Sequence, residues 1–201
     1  MKLYMSHTSP FARKVRMTTR LTGLADQVEE ICTTFESAEL RERNPLGKIP
    51  ALEASDITLF DSALICEYLD EHYVEAGGDS LYHGDRDDYY PLLSALALAN
   101  GITEAAVSTI METKRETEHS TYWLERWNTA METGIRTVDV AVLGTPAEMN
   151  MAGIAMAACL GYLDFRLGDH NWRAWNPALA DWFHEIAQQS WFTETAPPEG
   201  A

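Results

Sequence analysis

The sequence predicts a chain of two parts, an α/β unit followed by an all-helical one. Three observations carry that prediction. Short strand-like runs alternate with helical patterns up to residue 73. The stretch 75–88 (EAGGDSLYHGDRDD) then turns Gly-rich and acidic. Beyond it no alternating pattern is found, only long helical periodicities. We therefore place the domains at residues 1–77 and 84–201.

Residues 2–6 (KLYMS) read as a first strand. Ser9-Pro10 then opens a helix, with Ser9 at the N-cap, Pro10 at the first helical position, Phe11, Val15, Thr18 and Leu21 on one face, and Gly23 closing it. Residues 28–33 read as a second strand and 37–43 as a short polar helix. The runs 51–54 and 57–60, separated by Ser55-Asp56, read as two further strands. A helix over 62–73 follows, with Leu64, Ile65, Tyr68 and Leu69 as its apolar stripe. The helical half divides at Gly101, at 118–120, at 144–146 and at 168–177, where Asn176-Pro177 repeats the signature of a cap followed by proline.

Composition excludes several classes of function. With 46% apolar residues and six Trp the chain has the make-up of an ordered globular protein. Thirty-one acidic against fifteen basic side chains give a net charge of −16, a field that repels phosphate backbones and anionic membrane surfaces. No nucleic acid partner is expected, and an anionic ligand must be drawn in by local donors and helix ends. Cys32, Cys66 and Cys159 are odd in number and form no C-x-x-C pair, so neither a disulfide framework nor a zinc site is indicated. No other His, Cys and carboxylate spacing suggests a metal, and a reducing, cytoplasmic location is expected. The longest nearly apolar stretch, 151–163, is shorter than the ~20 residues that span a bilayer, so neither secretion nor membrane insertion is expected.

Three constellations carry chemistry. His7-Thr8-Ser9-Pro10-Phe11-Ala12 lies where the first strand feeds the first helix. Amides in a first helical turn lack intrahelical partners and favour an anion, and a thiolate would qualify. Lowering a thiol from about 8.5 by ~2 units takes about 2.7 kcal/mol, within reach of a hydroxyl hydrogen bond plus a helix end. Ser9 would equally serve as a plain N-cap, and Thr8 and Ser6 are alternative hydroxyl donors. His7, two residues from Ser9, could act as a base, but neighbouring strand residues point to opposite sides, and it is expected to face solvent. Arg13, Lys14, Arg16 and Arg20 read as a solvated helix face that assists anion entry, and the six Trp as packing residues.

The second constellation, Asn44-Pro45-Leu46-Gly47-Lys48-Ile49-Pro50-Ala51-Leu52, is a turn-rich loop entering a strand. A cis Ile49-Pro50 bond would turn the Ile49 amide and carbonyl outward to pair with an extended peptide, and Lys48 would meet a carboxylate. An ordinary turn at an edge strand is the plainer reading. The third is Asp61-Ser62, at the end of a strand and the start of a helix. The amides and the Ser62 hydroxyl suit an α-carboxylate and Asp61 an α-amino group, so one zwitterion would satisfy both; a cap pair is the alternative.

In chain order these supply a thiol site, a peptide clamp and a zwitterion anchor. The series SPFARKVR, NPLGKIPAL and DSALICEYL resembles the glutathione S-transferase family, especially its small bacterial members, and GYLDFRL with NPALADWF extends the likeness to the C-terminal half. The resemblance implies a thioredoxin-like domain followed by a helical domain, with glutathione as co-substrate and no metal. It implies that Ser9 holds the thiolate, that Ile49 before cis Pro50 is the backbone clamp, that Lys48 meets the glycyl carboxylate, and that Asp61 and Ser62 bind the γ-glutamyl end. Phe11 would lie beside the thiol, lining the electrophile pocket or the core.

Conjugation of the thiolate to small, hydrophobic electrophiles is the expected reaction, and a homodimer the expected assembly. A non-catalytic glutathione or ligand carrier, or a glutathione-dependent peroxidase, are the alternatives. The chain departs from the family twice. Ser9 and Ala12 stand where Cys-type members and thioredoxin-like reductases carry cysteines, which disfavours disulfide exchange. Asn150 and Gly153 replace a Ser/Thr-x-x-Asp box at the start of a helix in the second domain, which puts that domain's stability in question.

Overall fold

The computed structural model describes residues 1–82 and 86–201. The chain forms two compact units, one of Met1–Gly84 together with Gln189–Ala201, the other of Asp85–Gln188. Residues 83–85, within the stretch expected to separate the domains and including the expected start at 84, lie outside the described residues.

The first unit is built on a four-stranded mixed sheet. Its strands are β1 (Lys2–Met5), β2 (Glu29–Cys32), β3 (Ala51–Ala54) and β4 (Ile57–Phe60), in the order β2-β1-β3-β4. Strands β1 and β2 run parallel and are connected through helix α1 (Pro10–Leu21), whereas β3 is antiparallel to both β1 and β4. Leu3, Tyr4 and Met5 are all buried, as befits an inner strand covered on both faces. Helix α2 (Ala38–Arg43) packs near β3, and α3 (Ser62–Glu75) packs beside α1.

The buried stripe of α3 is displaced by one residue from the expected one. Ser62, Ile65, Cys66, Leu69 and Asp70 face inward at the i, i+3, i+4, i+7, i+8 spacing of a core-facing helix, while Leu64 is 46% exposed. The register is displaced because a polar residue, Asp70, is satisfied inside the fold. The Asp70 carboxylate accepts the Ser80 hydroxyl at 2.6 Å and the Leu81 amide at 2.7 Å.

The expected solvated basic face of α1 is instead buried. Arg13, Lys14 and Arg16 are 5%, 2% and 4% exposed. The cause is the C-terminal segment, whose short helix α9 (Ser190–Thr193) packs on α1. Arg13 Nη2 donates to the Phe192 carbonyl at 3.1 Å and Arg16 Nη1 to the Thr195 carbonyl at 3.1 Å. On the β2 side, Glu30 receives Arg16 Nε at 2.9 Å and Arg20 Nη1 at 2.8 Å. Burial works to raise the Glu30 carboxyl, but the two guanidinium hydrogen bonds outweigh it and hold the group below its ordinary value. The pair therefore stabilises the fold at neutral pH and loses its contribution as pH falls through the depressed folded-state value.

The second unit contains α4 (Arg86–Thr113), α5 (Thr121–Thr137), α6 (Met151–Arg166), α7 (Trp172–Trp175) and α8 (Pro177–Ile186). Helix α6 is its centre, with every residue from Met151 to Leu163 buried, and α4 packs against both α5 and α6. By length and composition α4 would also suit a bilayer. Its buried Leu92, Leu96, Ala99, Ile102, Ala105 and Ala106 are those of a helix packed in a protein core. The expected break at Gly101 does not occur, since α4 runs through it. One exposed glycine costs a helix only about 1 kcal/mol, which packing on two neighbours outweighs.

The departure at Asn150 and Gly153 has a structural reason. Asn150 Oδ1 caps α6 by accepting the Gly153 amide at 2.9 Å, and its Nδ2 donates to the Val142 carbonyl at 2.8 Å. A Cβ on Gly153 would lie 2.1 Å from the Leu143 carbonyl oxygen. Chain 142–143 thus passes where a reciprocal capping side chain would have to start, and Asn150 both caps α6 and ties its start to that chain. Gly101 and Gly153, two of the helical glycines of this unit, should consequently respond in opposite directions in thermal melts. Gly101→Ala, where a Cβ meets nothing within 4 Å, is expected to add about 0.5–1 kcal/mol. Gly153→Ala should remove about 1–3 kcal/mol or more.

Candidate functional site

Strand register brings the three sequence constellations to one end of the sheet. Tyr4 pairs with Ala51, and Ala51 pairs with Phe60. Ser6–Ser9 leave β1 just beyond this row, Ile49-Pro50 enter β3 just before it, and Asp61-Ser62 leave β4 just after it. Neighbouring strands are about 4.8 Å apart, so the three segments lie side by side along one end of the sheet.

The β1–α1 segment is a turn rather than a continuation of the strand. The Ser9 amide donates to the Ser6 carbonyl at 3.2 Å, and His7 lies half-buried within that turn, so strand alternation does not set its direction. Three hydroxyls crowd here. Ser6 Oγ and Thr8 Oγ1 lie 3.1 Å apart, so that pair uses one hydroxyl proton between its members. Ser9 Oγ accepts the Ala12 amide at 3.2 Å, a bond that occupies a lone pair and leaves its proton available. Capping and donating to a ligand are therefore compatible. Pro10 has no N–H, and the Arg13 amide closes on the Ser9 carbonyl at 2.9 Å. Among the described residues no partner is recorded for the Phe11 amide, a first-turn donor in the field of the helix end. The Phe11 side chain is half-buried.

The Ile49-Pro50 bond is cis, as the proline corner suggested. Among the described residues no hydrogen bond is recorded for the Ile49 amide or carbonyl, and Lys48 is exposed beside it. What holds this corner is a residue to which the sequence reading gave no role. Asn44 is 1% exposed; its Nδ2 donates to the Lys48 carbonyl at 2.8 Å and its Oδ1 accepts the Leu46 amide at 3.0 Å. Gly47, at φ 61°, completes the turn with its amide on the Asn44 carbonyl at 2.8 Å. The N-P-L-G series was the available signal, since an asparagine that folds its side chain onto the next residues builds such a turn.

Asp61 adopts φ 70°, ψ 130°, a conformation costly for a residue with a Cβ. Its Oδ1 caps α3 by accepting the Ala63 amide at 2.8 Å, while the Ile65 amide closes on its carbonyl at 3.0 Å. Ser62 is 4% exposed, and no hydrogen bond among the described residues engages its hydroxyl. Asp61 thus presents a carboxylate, and Ser62 an amide and a hydroxyl, where a zwitterion would need them. Among the described residues no group of His, Cys, Asp or Glu is arranged to hold a metal ion.

The family model for the N-terminal domain of glutathione S-transferases matches residues 8–72, a span that takes in Ser9, the Ile49-Pro50 corner and Asp61-Ser62. A glutathione transferase family member from Pseudomonas fluorescens Pf-5, solved with bound glutathione, is 32% identical to this chain. It superposes with a TM-score of 0.91 over 98% of each chain. The chain belongs to the glutathione S-transferase family. A second structure from the same bacterium holds S-(propanoic acid)-glutathione and is 32% identical, with a TM-score of 0.86 over 98% of this chain and 100% of that one. The uncharacterized GST-like protein YibF of Escherichia coli (strain K12) is 29% identical across 99% of this chain and 100% of its own length. The thioredoxin-like first domain and helical region predicted for the family are both present.

The backbone of Asp61 offers a check on how this corner is held. Asp61→Asn keeps a capping oxygen and a residue type tolerant of positive φ, and should cost no more than about 1 kcal/mol in denaturant unfolding. Asp61→Val loses the cap and places a β-branched residue at φ 70°, and should cost about 2–4 kcal/mol.

Proposed function

We propose that the chain is a glutathione transferase that conjugates the glutathione thiolate to small, hydrophobic electrophiles. The observation that carries the reading is the state of Ser9, whose hydroxyl proton is uncommitted at the start of a helix one strand away from the Ile49 corner. A thiolate there receives the Ser9 hydroxyl and the Phe11 amide, and both interactions favour the anion over the thiol. Ile49 pairs with the cysteinyl backbone as a strand edge would, Lys48 meets the glycyl carboxylate, and Asp61 with Ser62 holds the γ-glutamyl end. The thiol releases its proton to water, and the thiolate attacks the electrophilic carbon, forming a carbon–sulfur bond as the leaving group departs with the electron pair of the bond that breaks. The contribution of the protein is a lowered thiol pKa and proximity.

Two further findings support this reading. The Pseudomonas fluorescens relative holds an S-substituted glutathione, so a fold of this kind accommodates a thioether on the sulfur. Ser9 and Ala12 leave the start of α1 without a protein thiol, which favours conjugation over disulfide exchange. The proposal includes a reducing, cytoplasmic compartment, in keeping with three unpaired cysteines, and a homodimer, for which Phe35 and Leu64 offer apolar surface at 44% and 46% exposure.

Retention on immobilised glutathione followed by turnover of a generic aromatic electrophile tests the reading. Retention without turnover favours a carrier, and turnover of an organic hydroperoxide alone favours a peroxidase. Within the conjugating enzyme, Ser9→Ala should keep glutathione affinity within a few fold and move the rise of activity with pH upward by about 1–2 units. The sign follows from the removed interaction, since losing a donor to the thiolate raises the thiol pKa. Ser62→Ala should leave the pH profile in place and weaken glutathione binding by about ten-fold, roughly the loss of one charge-assisted hydrogen bond. An unchanged profile in the first variant, or unchanged affinity in the second, contradicts the role assigned.

A further inference from the structure

Helix α1 carries four basic residues in a chain of net charge −16, and Arg13 is placed unlike Arg16 and Arg20. Arg16 and Arg20 share the Glu30 carboxylate, and Arg20 also reaches Glu194 at 3.6 Å. Arg13 is 5% exposed and, among the described residues, touches no carboxylate. Its guanidinium is held by neutral oxygens and a ring. Nη2 donates to the Phe192 carbonyl at 3.1 Å, Nε to Thr195 Oγ1 at 3.4 Å, and the charge lies 4.2 Å from the centre of the Phe192 ring. Burial, with Arg16 adding repulsion, pushes the guanidinium down to about 10, so it stays charged at neutral pH. A buried cation without a counter-charge is costly, which makes Arg13 a candidate for a role beyond stability.

Its position relative to Ser9 gives that charge a target. The Arg13 amide closes on the Ser9 carbonyl at 2.9 Å, so Arg13 stands one turn above the cap. Helical side chains lean toward the N-terminus, and the side chain at i+4 overlies position i. We propose that Arg13 is a positioning charge for the thiol site, its uncompensated field at the start of α1 raising the thiolate fraction of glutathione held by Ser9. The inference rests on the glutathione reading above and deepens it. The global field of the chain opposes an anion, and the amides and hydroxyl of the helix start are joined by a full charge that water does not screen.

The other charged and titratable groups around this helix are accounted for. Lys14, Arg16 and Arg20 lie on α1 itself, and His7 precedes it. Cys66, Asp61 and Asp70 belong to α3, Glu30 to β2 and Glu194 to the C-terminal segment. Of the carboxylates, Asp70 is bound by Ser80 and Leu81, Asp61 caps α3, and Glu30 and Glu194 pair with arginines. None of them neutralises Arg13.

The test is an ultraviolet titration of the thiolate of glutathione bound to the full chain, with glutathione affinity and thermal melting measured alongside. Arg13→Gln should bind glutathione within a few fold of the parent and raise the bound thiol pKa by about one unit. Arg13→Lys should restore the parent value, because it keeps the charge. Thr195→Asp supplies the missing carboxylate beside an intact Arg13 and should raise the thiol pKa as the glutamine variant does, which keeps the question open to measurement if Arg13→Gln fails to fold. An unshifted titration in the folded glutamine or aspartate variant overturns the inference while leaving the glutathione reading in place. A lysine variant that titrates with the glutamine variant overturns it too, since geometry and not charge would then be responsible. If the parent chain shows no glutathione binding at all, the reading and the inference fall together.

Discussion

The site depends on a single row of strand pairing, Tyr4 with Ala51 and Ala51 with Phe60. A one-residue slip in either pair would turn every side chain of that strand to the opposite face and carry its exit loop away from its neighbours. A slip would also have to repack Leu3, Tyr4, Met5, Ala51 and Leu52, all of which lie inside. A helix start at Ser9, a cis peptide corner at Ile49-Pro50 and a second helix start at Asp61 follow from that row. They line one end of the sheet, where a short extended peptide can meet all three.

On this frame the chemistry is electrostatic and local. A chain of net charge −16 gives no long-range help to an anionic ligand. What it offers is a cluster of partial charges where α1 and α3 begin, backed by a basic helix face that the C-terminal segment seals from water through Phe192 and Thr195. The residues that end the chain thereby belong to the unit in which it begins. Sealing matters because it keeps the cations of α1 in a medium where their fields persist.

Much of this was legible in the sequence, and the failures share a cause. Caps and prolines at Ser9-Pro10, Asp61 and Asn176-Pro177 are local signals, and the helices start where they indicated. The cis corner at Ile49-Pro50 was likewise local. The basic face of α1 was misread because the segment that covers it lies some 180 residues further along the chain, as the Arg13 to Phe192 bond with its separation of 179 shows. Gly101 was misread as a break because the packing of α4 against α5 and α6 overrides one residue's propensity. The stripe of α3 was displaced because Asp70 is buried by its bonds to Ser80 and Leu81, which periodicity of apolar residues does not register. In each case a tertiary contact decided what local preference left open. The doubt raised by Asn150 and Gly153 ended differently, since the passage of Leu143 within 2.1 Å of any Cβ at 153 makes glycine the residue the fold requires.

The central claim is that the Ser9 hydroxyl holds the thiolate, and a crystal structure of the chain with glutathione tests it most directly. The account predicts the glutathione sulfur within ~3.5 Å of Ser9 Oγ, a hydrogen-bond distance for sulfur, with Ile49 paired to the cysteinyl backbone and Ser62 at the γ-glutamyl carboxylate. A sulfur resting on Thr8 or Ser6 instead, or glutathione bound away from the end of the sheet where Tyr4, Ala51 and Phe60 align, would contradict it.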